Sequence, residues 1–232
     1  MIPVTAAVRH ATTEQQIMKS ALKLFARQGF AATGIRQLAD EVGVTSSTLY
    51  HYMGTKDDLL FAIVGQSLTR LIDAAQRVTS EGLAPITTLC ALVHVHVVAH
   101  ATRSAETAVV DHELRSLAGR RRDEAIAMRD HYESFWRDTI AAGCAAGEFA
   151  VHDQRMARLG LLQMCSGVAG WYSPSGELSL AELAVTHAQM ALGLLGNSMG
   201  FDAVSTLLAA TDAAAVVADI WASPDRDVST SR

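Results

Sequence analysis

Apolar side chains recur at helical spacing from Ile17 onward, with Ile17, Ala21, Leu22, Leu24 and Phe25 falling on one stripe. Thr12 and Thr13 precede the stripe as candidate N-caps, with Gln15 or Gln16 as capping-box partners. Gly29 ends the stripe as a left-handed cap would, with Phe30 placed to fold back on the helix. Residues 1–10, which include Arg9 and His10, show no periodicity and read as a flexible arm. A second, short helix is expected from about Gly34 to Glu41, capped by Thr33 and facing inward with Leu38, Ala39 and Val42. Gly43 then breaks the chain, and Thr45 or Ser46 caps a third short helix running to about Met53. Helix, glycine turn, helix is the spacing of a helix-turn-helix. Gly43 sits where a positive φ disfavours other residues, and Ala39 is small enough for two helices to approach closely.

After Gly54 and Thr55 a long helix is expected from Lys56 to around Val78, with Asp57 and Asp58 favourably placed in its first turn. A loop covers Ser80 to Pro85. Further helices are expected at about 86–102, 105–117, 120–146, 153–172, 179–196 and once more within 201–222. Gly119, Gly147, the run Ser173-Pro174-Ser175-Gly176 and the stretch Gly196 to Gly200 mark joints. No strand-like alternation persists and no internal repeat appears. The reading is an all-α protein, with a three-helix DNA-binding head on a larger α-helical body. The boundaries are 1–10 for the arm, 11–57 for the head, 58–222 for the body and 223–232 for a flexible polar tail.

Composition sharpens this picture. Half of the 232 residues are hydrophobic and only 4 are proline, which suits a sizeable helical core. The 3 cysteines, Cys90, Cys144 and Cys165, are too few and too scattered for a disulfide framework, as expected of a reducing cytoplasm. No secretory signal pattern opens the chain, and no charge-free apolar run of about 18 residues is expected before the C-terminal region. Val185 to Leu195 reads as a buried helix, so no membrane partner is expected. The net charge is −5, yet its distribution is uneven. Up to Leu60 there are six basic and five acidic residues, and beyond it thirteen and nineteen. All three lysines, Lys19, Lys23 and Lys56, lie in the first part, so any contact with phosphate belongs there.

The string from Ala21 to Phe30 (Ala-Leu-Lys-Leu-Phe-Ala-Arg-Gln-Gly-Phe) is followed by Thr33, Leu38-Ala39, Gly43-Val44-Thr45, Thr48-Leu49-Tyr50-His51-Tyr52 and Lys56-Asp57-Asp58-Leu59-Leu60. In that order and without a gap, it resembles the N-terminal domain of the TetR family of transcriptional regulators. Ser47, where glycine or alanine is common in the family, and Met53, where phenylalanine is usual, depart from its pattern. The resemblance implies a homodimer that sets two recognition helices into successive major grooves of a palindromic double-stranded operator, about 34 Å apart. The candidate DNA contacts are Thr45, Ser46, Ser47 and Thr48 at the start of the third helix, with Tyr50 and His51 as phosphate contacts. Lys56, beside the amides that open its helix, is placed to grip a phosphate, and Thr33 and Arg36 are further candidates. Tyr52 and Leu49 are assigned mostly to packing.

The body carries Glu113 to Leu117, Arg129-Asp130-His131-Tyr132-Glu133, Phe135-Trp136-Arg137-Asp138, Gly143, Gly147-Glu148-Phe149 and Gly170-Trp171-Tyr172. Over about residues 90–195 it resembles the subgroup of acyl-CoA-responsive regulators of fatty-acid and steroid-ring catabolism. That resemblance implies a small-molecule effector, a CoA thioester. Such a ligand needs apolar walls, for which Met128, Trp136, Met164, Trp171 and Tyr172 are candidates, and positive charge, for which Arg129, Arg115 and the run Arg120 to Arg122 are candidates. The aromatic and methionine side chains also suit an ordinary core. His96 and His100 lie four apart on one helix face, a spacing fit for a polar role in a pocket, for the core, or for chelating a metal. Small residues at 153–172 and 179–196 suit a four-helix dimer interface, as in the family. No phosphate loop, nucleophile signature or accompanied metal motif is found, so neither enzyme activity nor a cofactor or bound metal is expected. The function expected is a repressor released by its ligand, with an activator of the same fold or a metal sensor as alternatives.

Overall fold

A computed structural model describes residues 4–222, with side chains from Thr13 to Trp221. The described residues form helices and no strand: α1 (Val4–Gln28), α2 (Ile35–Val42), α3 (Ser46–Met53), α4 (Lys56–Thr79), α5 (Pro85–Thr102), α6 (Ser104–Glu113), α7 (Gly119–Ala145), α8 (Gln154–Ser166), α9 (Leu180–Leu194), α10 (Phe201–Ala209) and α11 (Ala213–Ala222). Short 3-10 turns follow α6 at Leu114–Ser116 and α8 at Gly167–Gly170.

Several expected boundaries move. Helix α1 begins at Val4, so residues 4–10 are helical rather than a loose arm, and Thr12 and Thr13 are interior positions rather than caps. The alanine-rich stretch before them holds no breaker, and helix propensity carries the first turns without an apolar stripe. The helix expected at 153–172 ends at Ser166, where Gly167 and Gly170 bracket a tighter turn. The last helix is two, α10 and α11, bent by 57° across Ala210, Thr211 and Asp212. The tail from Ser223 lies outside the described residues.

The chain divides into two compact units. One takes the residues up to Ser67 together with Ala105–Ile126, and the other takes Leu68–Ser104 together with the residues from Ala127 on. The first therefore includes α6 and the start of α7, which the sequence had assigned to the body. Its core is built from Ile17, Leu24 and Phe25 of α1, Leu38 of α2, Leu49 of α3 and Leu59, Leu60 and Val64 of α4, all buried. Phe25 and Phe30 meet edge to face at 5.2 Å, which turns the chain back after α1.

The second unit is organised around α5. Thirteen of its eighteen residues are buried, and α8, α9, α10 and α11 all pack against it. Contrary to the sequence expectation, α5 is a charge-free run of 18 residues, long and apolar enough to cross a membrane; 72% of it is buried inside the protein. A helix apolar on every side is satisfied by a ring of partner helices. Gly143 on α7 allows one close contact, because a Cβ there would stand 2.1 Å from the Phe149 ring. Phe149 is thereby seated in the same buried core as Trp136 and Ile140.

Candidate functional site

The head positions α3 with a small set of contacts. Gly43 adopts φ +76° and its amide donates to the Asp40 carbonyl, while the Val44 amide donates to Ala39, which closes the turn between α2 and α3. Leu49 is the one buried residue of α3. Thr45 caps α3, its Oγ1 accepting from the Thr48 amide at 3.1 Å and lying 2.8 Å from the Thr48 hydroxyl. Ser47 and Tyr50 are exposed, Ser46 is half-buried, and no side-chain hydrogen bond of the three is formed among the described residues. His51 is exposed and meets the edge of Tyr52 at 5.7 Å. Arg36 on α2 is also exposed. A short helix with a free polar N-terminal end and one apolar anchor suits a groove-reading element.

Two candidate DNA contacts are placed differently from expectation. Thr33 is buried, and its hydroxyl donates to the Gly29 carbonyl at 2.8 Å; Gly34 takes the N-cap position of α2. Thr33 therefore holds the turn after α1 rather than facing DNA. Lys56 donates from Nζ to the Phe30 and Thr33 carbonyls at 2.9 and 3.0 Å and sits 4.2 Å from the Phe30 ring centroid. An ammonium has three donors, and this clamp commits two of them, so Lys56 is a structural tie with one donor left over. The Phe30 and Thr33 carbonyls attract it, and sequence spacing does not reveal them.

Two further ties come from the part of this unit beyond residue 104. Glu113 Oε1 accepts the Phe30 amide at 3.1 Å and its Oε2 accepts the Ser116 hydroxyl at 2.7 Å. Asp58, in a reciprocal capping arrangement with Thr55, pairs with Arg121. Hydrogen bonds from Thr55, with the Arg121 guanidinium alongside, hold the Asp58 carboxyl below its usual range. Arg120 pairs with Glu124 at 2.5 Å, so two of the three consecutive arginines are matched to carboxylates.

In the second unit a polar string runs through the core. His96 places Nδ1 2.8 Å from the Tyr132 hydroxyl and Nε2 3.0 Å from the Ser166 hydroxyl. Its ring stacks on His100 at 3.9 Å and meets Trp136 edge to face at 5.6 Å. His100 Nδ1 donates to the His96 carbonyl at 2.9 Å. Burial favours the neutral imidazoles: His96 is pushed well below its ordinary value, further disfavoured by His100, and His100 is pushed down to about 4. Both ring nitrogens of His96 are occupied and Nδ1 of His100 faces its own helix, so the pair is built as a hydrogen-bonded element rather than as a bidentate chelate. Tyr132, named from sequence only within the run that carries the resemblance, and Ser166, counted only among the small interface residues, were not candidates for the site; the one available signal was Tyr132 preceding Trp136 by one helical turn on α7.

The remaining candidates are dispersed. Met164 and Tyr172 are half-buried and pack against the core cluster, and Met128 is half-buried. Trp171 is exposed, stacked on His187 at 6.1 Å and edge-on to Tyr172 at 6.5 Å. Arg129 is exposed and paired with Asp130 and Glu133, at 3.4 and 3.5 Å, rather than gathered with the string. Met156 and Leu159 on α8 and Met190 and Leu194 on α9 are large apolar side chains left exposed, and a Cβ on Gly160 would lie 3.7 Å from Leu194.

Comparison with known proteins accords with this arrangement. The family model for bacterial regulatory proteins of the tetR family matches residues 17–63, and that for the tetracyclin repressor-like C-terminal domain matches residues 82–195. The HTH-type transcriptional repressor KstR2 of Mycolicibacterium smegmatis is 23% identical over 192 residues, covering 82% of this chain and 94% of the relative. The crystal structure of a tetR-family regulatory protein from Rhodococcus RHA1 superposes with a TM-score of 0.75 at 24% identity, covering 81% of this chain and 98% of that one. The structure of AibR in complex with isovaleryl coenzyme A and operator DNA gives a TM-score of 0.69 at 24% identity, covering 77% and 97%. Helices α10 and α11 follow the last residue of the C-terminal family match.

Proposed function

The chain belongs to the TetR family of bacterial regulatory proteins, and on that premise we propose that it is a transcriptional repressor that binds a palindromic operator as a homodimer and is released by an acyl-CoA thioester. It is a regulator and not an enzyme. The observation that carries the DNA-binding reading is the capped α3, which turns Ser46, Ser47 and Tyr50 to the surface on a single buried anchor, Leu49. Repression is supported by the KstR2 relatives, which are themselves repressors.

Dimerisation is supported by the exposed methionine and leucine side chains of α8 and α9. Copies of one patch meeting about a two-fold axis would remove them from water. The effector reading is supported by AibR, whose structure holds isovaleryl coenzyme A, and by the polar string of His96, Tyr132 and Trp136 inside an apolar body. Met128, Met164, Trp171 and Tyr172 supply the remaining apolar surface, while Arg129 is held by Asp130 and Glu133.

Control of DNA binding follows from linkage. An effector that favours one body conformation lowers operator affinity by the same factor by which DNA lowers effector affinity. Helix α4 starts in the head at Lys56 and ends in the body at Thr79, so a shift of its far end is carried to the clamp on Phe30 and Thr33. Titrating the protein against fluorescently labelled DNA from upstream of its own gene, with and without isovaleryl-CoA, tests both parts. The expected result is tight, salt-sensitive binding weakened about 5- to 150-fold by the thioester. No binding at low salt would remove the operator reading, and an unchanged affinity would remove the effector reading.

A further inference from the structure

Trp136 is fully buried, and its indole Nε1 has no hydrogen-bond partner among the described residues. The Tyr132 hydroxyl is near enough to feel the indole N–H, yet no bond of hydrogen-bonding geometry joins the two. That hydroxyl is already engaged by His96, whose other nitrogen is engaged by Ser166. The string is thus closed at the Ser166 end and has an open donor at the Trp136 end. Buried N–H groups are paired in the great majority of folded proteins, so an open one marks a place where a partner belongs.

We infer that Trp136 Nε1 reads the effector, donating to an uncharged carbonyl-type oxygen carried on an apolar frame, which for an acyl-CoA is the thioester carbonyl. The inference rests on the effector reading above and assigns its chemistry to one atom. An indole N–H donates and never accepts, which calls for an acceptor on the ligand. The groups around it are uncharged, since burial keeps His96 and His100 neutral, holds the Tyr132 phenol protonated and pushes the Cys165 thiol up to about 12. No cation completes the string, so an ionised carboxylate or phosphate would be buried there without a counter-charge, which is strongly unfavourable. A neutral oxygen meets the open donor at no such cost. Phosphates of a CoA group would stay outside this string, toward solvent.

The test compares isovaleryl-CoA with its S-(3-methylbutyl) thioether, in which the carbonyl is replaced by a methylene, by calorimetric titration of the full-length protein. The wild type is expected to bind the thioester on the order of tenfold more tightly than the thioether. In Trp136→Phe, which keeps a ring but removes the N–H, the two ligands are expected to bind equally. The ligand-side change needs no variant, so the test survives a failure of Trp136→Phe to fold. As a second readout on the wild type, the Trp136 indole proton resonance is expected to move downfield with the thioester and not with the thioether. Equal binding of both ligands to the wild type overturns the inference while leaving a thioester effector in place. A preference that persists in Trp136→Phe also overturns it. Failure of both ligands to bind removes the thioester reading itself and this inference with it.

Discussion

Helix α3 has eight residues and buries one of them, Leu49, whereas α5 has eighteen and buries thirteen, His96 and His100 among them. Both carry polar groups. At the start of α3 these are small hydroxyls: Thr45, just before the helix, caps it, while Ser46 and Ser47 remain available. On α5 the two most deeply buried imidazoles, those of His96 and His100, are matched to Tyr132, Ser166 and backbone. An exposed hydroxyl costs little to leave unpaired, so α3 can keep its surface open for DNA. A buried imidazole must be matched, so α5 fixes its neighbours and leaves its chemistry to whatever enters the core.

The largest expected effect separates the two helices directly. Leu49→Ala removes the sole anchor of α3 and is expected to cost about 2–5 kcal/mol, abolishing operator binding while thioester binding persists. Leu92→Ala on α5 is expected to cost a similar amount, about 2–5 kcal/mol, with loss of both functions. Calorimetric melting together with fluorescence anisotropy reads the contrast, and loss of both functions in Leu49→Ala would break it.

Acid should act on α5 and spare α3. His96 and His100 are depressed in the folded protein, so below about pH 6.5 the unfolded chain binds protons that the folded one does not. Their stabilisation is full above pH 6.5 and is lost as pH falls toward the folded value of His100, about 4. For His100 this amounts to roughly 3 kcal/mol. His100→Gln should flatten the decline in melting temperature between pH 6.5 and 4, and an unchanged slope would remove His100 from this account.

Lys56 tests the border between structure and readout within the head. With two bonds to backbone carbonyls, Lys56→Ala is expected to cost about 1.5–3 kcal/mol of stability. It should leave the salt dependence of operator binding unaltered, because Nζ is tied to protein oxygen; a phosphate contact would instead lower the slope by about 0.9 per lysine. The smallest expected effect is at Thr45, where alanine removes the cap of α3 at a cost of about 1 kcal/mol and weakens all operator sequences alike.

How far the sequence carried the reading depended on the range of the interactions involved. The turn at Gly43, the cap at Thr45 and the apolar stripe of α1 are local, and the residues that make them lie within a few positions of one another. The ties made by Lys56 and Thr33 were not foreseen because their partners are the carbonyls of Phe30, Thr33 and Gly29, groups that carry no side-chain signature. Glu113 and Arg121 were not recognised as head residues, since their partners, the Phe30 amide and Asp58, lie 83 and 63 positions away. The split between α10 and α11 went unseen because Thr211 and Asp212 are only weak breakers.

By itself the amino-acid sequence determined the all-helical architecture, the helix-turn-helix and the family, because helix periodicity, glycine turns and caps are written in contiguous residues. Tertiary structure alone decided which polar groups are spent and which stay open. It tied Lys56 to the chain, closed His96 onto Tyr132 and Ser166, and left Trp136 Nε1 without an acceptor. The physical reason is that a hydrogen bond depends on where two groups meet in space and on the water excluded from them, and folding sets both.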